Sequence, residues 1–502
     1  MSFFQDINTD SLGHIAGLAA LVGLTYLIIT IVFPPINFPK NIPTIPFYVS
    51  FLGAYTSMDQ LQIYEYYLKD KLDKYGAVKI YFASRWNILV TKPEYLQIIL
   101  KNEALYAKSG NHKKIPYAVL SRYTGDNVIS AHGEVWKLYR SVITNSIQFP
   151  DKSSTNQNAM KLVELINNSI GSDLNSKSLP VGDFLQKFSL QNICQSMLGI
   201  DFKLLDDPNQ ELHQRLKYVK SQIFKSFYMN FPIFDQLPIP SRIKAKEEVD
   251  KFREYFTQRV KDEQLKNFAN KSSAGYKLYE ALQAGLITEK QFTDNAVIIL
   301  VAGHENPQLL FTSLLYVLAK HPKWQTKLRE ELINIDDDID LENFINLNAF
   351  IFETLRMFPP LGQIINRETT KDALLGGKIH IPKGTYIGYN NFVTGRDSTH
   401  WEDSNEFKPE RWIPNDNNIS EMLKFYKTSK INCTMAAFHG GKRACLGEKF
   451  ALFETRLFLK HIVSNFKISL DPTWIDQLTP AGPICPIMLR INFEKLESKK
   501  TQ

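Results

Sequence analysis

The chain has 502 residues, 44% of them apolar and 22% charged, a globular composition with ample length to bury a cofactor. Its formal charge of +7 comes without a long Lys/Arg run, which excludes a nucleic-acid-binding tail. The excess suits an acidic protein partner or an anionic membrane surface, and equally a plain solvated surface. The four cysteines (Cys194, Cys433, Cys445 and Cys485) form no C-x-x-C pair and no zinc spacing, so they point to a reducing, cytosol-facing compartment rather than a disulfide framework.

Ser11 to Pro39 contain no Lys, Arg, Asp or Glu, and Ile15 to Phe33 form a 19-residue apolar run, long enough to span a bilayer as a helix. Asp6 and Asp10 precede the run and Lys40 follows it, which places the C-terminal side in the cytosol. An acidic leading segment and a long apolar run disfavour a cleaved signal peptide. Pro34, Pro35, Pro39, Pro43 and Pro46 then read as a stiff connector. The expected organisation is an anchor over 1–33, a connector over 34–50 and one catalytic domain over 51–502.

Met58 to Tyr75 has a helical period, and Val78 to Phe82 and Trp86 to Thr91 alternate as two strands. Pro93 to Leu100 reads as a short helix and Lys108 to Ser130 as a long irregular loop, of the kind that often carries function. Glu134 to Ile147 is helical and sets Trp136 and Arg140 on one side at i and i+4. Residues 153–290 read as successive helices with short breaks. Within them the prolines of 231–240 punctuate an apolar turn that suits a membrane-dipping loop or core packing alike.

Thr293 to Lys320 is the longest helical pattern and is apolar nearly all round, so it predicts a central buried helix. Ala302-Gly303-His304-Glu305-Asn306-Pro307 interrupts it with residues that are costly there, which predicts a kink lined by polar groups. Ala349 to Phe358 carries Glu353 and Arg356 at i and i+3 among apolar neighbours, so the pair should be buried and need a third partner. Arg367 falls in an extended stretch, short strands follow over Gly377 to Asn391, and 395–437 reads as an irregular meander holding Arg411. Two closing strands are expected near Phe466 to Leu470 and Ile487 to Phe493.

The chemistry concentrates at Phe438-His439-Gly440-Gly441-Lys442-Arg443-Ala444-Cys445-Leu446-Gly447, which runs straight into a helical pattern. A cysteine at a helix N-terminus faces unpaired N–H groups and the positive end of the macrodipole, both of which favour thiolate. Such a sulfur can be a nucleophile or a metal ligand. Glycines that let backbone approach something flat, a ring at Phe438 and a guanidinium at Arg443 together fit a haem, with its apolar faces, iron and two propionates.

The pattern F-x-x-G-x-R-x-C-x-G resembles the haem-binding loop of the cytochrome P-450 family, the haem-thiolate monooxygenases, and all its fixed positions are met. The resemblance implies a mostly α prism with a small β-rich lobe near the N-terminus (α+β), binding haem b between the helix through Glu305 and the helix after Cys445. It makes Cys445 the iron ligand, gives Trp136, Arg140, Arg367 and Arg443 to the propionates, and sets Phe438 and Gly447 against the macrocycle. Glu353, Arg356 and Arg411 become a structural triad. Glu305 and Asn306 take the catalytic positions over the oxygen-binding face. Asn306 stands where the family usually has a threonine hydroxyl, so proton delivery falls to Glu305 or a substrate-held water. No glycine-rich flavin or nicotinamide loop is present, so electrons are expected from an NADPH-cytochrome reductase at the endoplasmic reticulum.

Within the family, Asn37 to Pro43, Ala107 to Asn111, Tyr123 to Asn127 and the His304-Glu305-Asn306-Pro307 variant resemble the fungal spore-wall branch. That branch couples N-formyltyrosine into dityrosine. Lys113 or Arg122 could then meet a substrate carboxylate. The competing expectations are hydroxylation of a lipid, sterol or foreign compound, and a non-catalytic haem sensor or carrier.

Overall fold

The computed structural model describes residues 9–207, 210–266, 270–332, 335 and 340–496. The start of the expected anchor segment, residues 1–8, lies outside them. Helix α1 (Thr9–Val32) contains the apolar run. From His14 to Val32 its mean hydropathy is 2.4 and none of it is buried; only its C-terminal end, around Ile31, packs against the domain.

The connector is docked along the domain. Phe38, Ile42, Ile45 and Val49 enter the core. Lys79 pairs with the connector's backbone on both sides, accepting from Ile45 N and donating to Pro43 O, both 2.9 Å. The Lys79 ammonium also donates to Pro39 O at 2.9 Å. Alternating apolar residues between the prolines supply the burial that a free linker would lack.

Strands β1 (Ala77–Phe82) and β2 (Arg85–Val90) form a hairpin in which Ala83 and Ser84 both have positive φ, 48° and 66°. Helix α2 (Pro93–Lys101) starts with proline at its first turn. Strand β3 (Tyr106–Lys108), helix α3 (Gly133–Gln148), strand β4 (Ser176–Pro180), and helices α4 (Gly182–Ser196) and α5 (Glu211–Ile223) follow. Helix α6 (Glu289–Lys320) is opened by a capping box in which Thr288 and Gln291 satisfy each other's backbone N–H. Then come α7 (Ile345–Met357), β5 (Gln363–Thr369), β6 (Ala373–Leu375), β7 (Ile379–Ile381), β8 (Tyr386–Asn390), α8 (Ile419–Ile431), α9 (Glu448–Asn465), β9 (Phe466–Leu470) and β10 (Arg490–Lys495).

The larger sheet has the order β1-β2-β8-β5-β3, with β2 and β8 parallel and Ile88 opposite Ile387. The β-rich lobe therefore draws two of its strands from the C-terminal half, beyond what a lobe "near the N-terminus" describes. Strand β4 pairs with β10, which pairs with β9. It was read as part of a helical stretch because its Ser and Lys residues carry no apolar alternation. Helix α8 lies inside the expected meander; Asn418 caps it by accepting from Ser420 and Glu421 N–H. The long loop contains two short helices, Asn111–Lys114 and Val119–Thr124.

Helix α6 runs through the middle of the core and packs against α4. Gly303 makes this possible: a Cβ there would lie 2.2 Å from Ile193 Cδ1. The helix continues through Pro307. Polar groups near that residue are largely satisfied locally, with Ser189 Oγ donating to His304 O at 2.8 Å and Asn306 Nδ2 to Ala302 O at 3.1 Å. Farther along, Phe311 stacks on Phe458 of α9 with centroids 4.6 Å apart.

Candidate active site

A cavity of about 270 Å³ lies between α6 and the start of α9. Cys445, Phe438, Arg443 and Gly447 form one wall, and Ala302, Gly303 and Asn306 another. Trp136 and Arg140 reach it from α3. Two of the expected residues are not among those lining it: Arg367 stands behind the wall, and Glu305 turns toward α5.

The sulfur sits where the cysteine loop becomes a helix. Cys445 N donates to Phe438 O at 3.0 Å, which closes the loop. The side chain is exposed and opens onto the cavity. Its surroundings are nonetheless dense: burial pushes the thiol up to about 11, although the N–H groups of Gly447 and Glu448 donate to the sulfur. These donors favour the thiolate, as expected of a helix terminus. Among protein groups desolvation outweighs two donors, and a bound cation is what would reverse that balance.

The far side of the site is a cationic cluster. Glu103 bridges two arginines, accepting from Arg367 Nη1 at 2.7 Å and from Arg443 Nη1 at 2.8 Å. Arg443 also donates to the carbonyls of Ile129 and Ala131 and lies 4.5 Å from the Trp136 ring centroid. Arg367 donates to Tyr106 O at 2.8 Å, while its Nε is buried without a partner. Arg140 stacks at 5.6 Å on Trp136, and no carboxylate pairs with it among the described residues. Lys108 also lines the cavity and is buried; burial first, then Arg367 and Arg443, pulls its ammonium well below the ordinary lysine range. His439 belongs to the same group. Burial and these cations lower it to about 3, so it is neutral, with its Nδ1 against the Tyr389 hydroxyl.

Three guanidiniums, Arg140, Arg367 and Arg443, and the Lys108 amine thus cluster beside an open cysteine sulfur, with Glu103 paired to two of them. That surplus fits a dianionic ligand with a metal between its acid arm and the thiolate, which describes a haem. Sequence reasoning missed Glu103, Lys108 and His439. Lys108 and His439 left a signal in stretches already singled out, whereas Glu103 sits in an unremarkable helix-to-strand link.

The predicted triad meets as a buried ion cluster. Arg356 Nε and Nη2 clasp Glu353 at 2.8 and 2.7 Å, and Arg411 Nε reaches Glu353 Oε1 at 3.0 Å. Trp412 Nε1 donates to Glu353 Oε2 at 3.0 Å and Lys408 N to Oε1 at 2.9 Å. Arg356 also donates to the carbonyls of Ser404 and Glu406, so α7 grips the segment leading to the cysteine loop.

On α6, Asn306 faces the cavity, whereas Glu305 pairs with Lys220 of α5 at 3.1 Å. Neither Lys113 nor Arg122 faces the cavity: Lys113 is exposed, and Arg122 is paired with Asp250 on the surface. Both stand as solvated surface residues, the commoner of the two readings for such loop cations.

A buried prism of helices, a cysteine loop feeding the last long helix, and a cation-rich pocket over the sulfur define a haem-thiolate oxidoreductase. The chain belongs to the cytochrome P450 family, whose model matches residues 39–486. It is similar to cytochrome P450-DIT2 of Saccharomyces cerevisiae, 49% identical over 476 residues that cover 94% of this chain and 96% of the relative. It is also similar to cytochrome P450 monooxygenase xanG of Aspergillus fumigatus, at 34% identity covering 88% and 85% of the two chains. A cytochrome P450DA mutant heme domain shares the fold with a TM-score of 0.72 at 16% identity, over 93% of this chain and 98% of that one. Membership brings haem as the cofactor, a small-molecule substrate and electrons from a redox partner.

Proposed function

We propose that this protein is a membrane-anchored phenol-coupling oxidase that joins two N-formyltyrosine molecules into bisformyl dityrosine for a fungal spore wall. Its similarity to a yeast relative along nearly the whole chain, together with the spore-wall stretches of its own sequence, supports this reading. The single observation that carries it is Asn306. An amide tied to Ala302 O stands in the cavity wall where the family pattern usually has a threonine hydroxyl.

When bound through Cys445, haem supplies the one-electron oxidising power that thiolate ligation confers. In our reading Trp136, Arg140, Arg367 and Arg443, joined by Lys108, hold its propionates, and Phe438 packs on its face. The protein's remaining work is positional. The apolar wall excludes water from two phenols, and Glu305 delivers protons after exchanging Lys220 for water. Each phenol loses one hydrogen atom and the two rings join through carbon. Dioxygen, with two electrons and two protons, leaves as two waters. We place the donor as an NADPH-cytochrome reductase docking on the basic proximal face, and the protein at the endoplasmic reticulum with 34–502 in the cytosol.

Reconstitution with reductase, NADPH and N-formyltyrosine tests this directly. Dityrosine fluorescence is expected. A hydroxylated monomer as sole product would sink the coupling reading and favour a hydroxylase.

A further inference from the structure

A second cavity, about 770 Å³, lies beside the first, bounded by the C-terminal end of α1, the β1–β2 turn and residues 227–234. One strand end separates the two. Lys108 lines the first cavity; the next residue, Ser109, shares a 2.9 Å hydrogen bond with the Tyr386 hydroxyl, and Tyr386 lines the second.

This second cavity is built for an anion. Among its described lining residues there is no Asp or Glu, whereas Arg85 and Lys383 are present. Two N–H groups of lining residues, Arg85 Nε and the Trp86 indole, are buried without partners, and Trp86 is only 5% exposed. Lys114 is 4% exposed; its one polar side-chain contact is a long 3.4 Å approach to Asn87 Oδ1. The Arg85 guanidinium covers the Tyr386 ring at 4.7 Å and the Lys114 ammonium lies 5.0 Å from the same ring. Neither cation forms an ion pair among the described residues. The neighbouring carboxylate, Glu368, is engaged by Ser109 Oγ at 3.2 Å. Arg85 Nη2 donates to the Lys114 carbonyl, which leaves its Nε and the Trp86 N–H as buried donors without an acceptor beside two cations that have no carboxylate partner; such a cost points to an absent acceptor. The rest of the wall is aromatic, with Tyr81, Tyr117 and Phe231.

We propose that this cavity is the entry subsite for an aromatic N-acylamino acid, whose carboxylate is taken by Arg85 and the Trp86 N–H with Lys114 as the second positive charge. This rests on the phenol-coupling reading and adds to it where the acid is recognised. Burial and the adjacent Arg85 lower Lys114 to about 7, so an incoming carboxylate favours its charged form.

The test is equilibrium binding of N-formyltyrosine and of its C-terminal amide to the full-length holoprotein, by calorimetry in detergent, for the wild type, Arg85→Gln and Arg85→Lys. The carbon monoxide spectrum of each variant checks folding. The wild type should bind the acid about ten- to a hundredfold more tightly than the amide, the ratio that hydrogen bonds to a charged group provide. That preference should fall toward unity in Arg85→Gln and be partly restored in Arg85→Lys. An unchanged preference in Arg85→Gln overturns the subsite. So does loss of binding to phosphatidylglycerol vesicles, relative to phosphatidylcholine vesicles, with the acid preference intact; the occupant would then be a lipid headgroup. Acid-selective binding without dityrosine formation sinks the coupling reading alone, and dityrosine formation with no acid preference sinks the subsite alone.

Discussion

Glu305 of α6 and Lys220 of α5 face each other at 3.1 Å, each about a quarter exposed, so the acid next to Asn306 is held outside the cavity by a neighbouring helix. In the proposed mechanism the pair would couple the position of α5 to proton supply, because Glu305 would serve the cavity only after leaving Lys220.

Replacement of Glu305 by Gln should therefore lower kcat by about a hundredfold, the scale of a lost general acid, with little change in KM. A solvent isotope effect that grows in the variant is the confirming measurement. An equal loss in KM would mean that Glu305 serves substrate binding.

Glu103 gives a pH prediction. Burial pushes its carboxyl up, but Arg367 and Arg443 outweigh it and leave the group below its ordinary 4.5. The folded value is depressed, so the contribution to stability is complete above about 4.5 and disappears as pH falls through the folded value. Glu103→Gln should remove that acid-side dependence and cost about 2–4 kcal/mol at neutral pH, by leaving two buried arginines unpaired. Denaturant titration of both proteins from neutral to acid pH reads both effects.

The triad makes a stronger claim. Glu353 is wholly buried and carries Arg356, Arg411 and the Trp412 indole. Glu353→Ala should cost about 3–5 kcal/mol. Because the triad grips the approach to the cysteine loop, haem content after expression should fall with it, measured by the Soret-to-protein absorbance ratio.

Cys445→Ser should abolish the thiolate-type carbon monoxide spectrum and most haem retention while the far-ultraviolet dichroism stays helical. Retained spectrum and turnover would remove Cys445 as the ligand.

Deleting residues 1–32 should move the protein to the soluble fraction with its carbon monoxide spectrum intact, because Phe38, Ile42 and Ile45 remain to close the core. Fractionation and absorbance read the two halves of that outcome.

Much of this was legible in the residues, and unevenly. The cysteine loop, the long helix and the triad announced themselves, because buried charge and glycine at fixed spacing have few other uses. Arg367 was legible as a residue but not as a position: nothing local shows that Tyr106 and Glu103 claim its guanidinium. Glu103 itself was invisible, since an acid earns meaning there only from two arginines more than 260 positions away. Strand β4 was lost for a related reason, as its pairing partner β10 lies at the other end of the chain. The pull of the helix terminus on the thiol is legible locally, whereas the desolvation that opposes it is set by everything packed around the sulfur.

The docked segment after α1 has a mechanical consequence. A leash of that length would let the body swing freely over the bilayer, whereas hydrogen bonds to Lys79 turn it into a strut. With α1 in a bilayer, as proposed, the catalytic body would keep one attitude to the lipid plane, presenting the same flank to lipid and the same flank to its electron donor at every encounter.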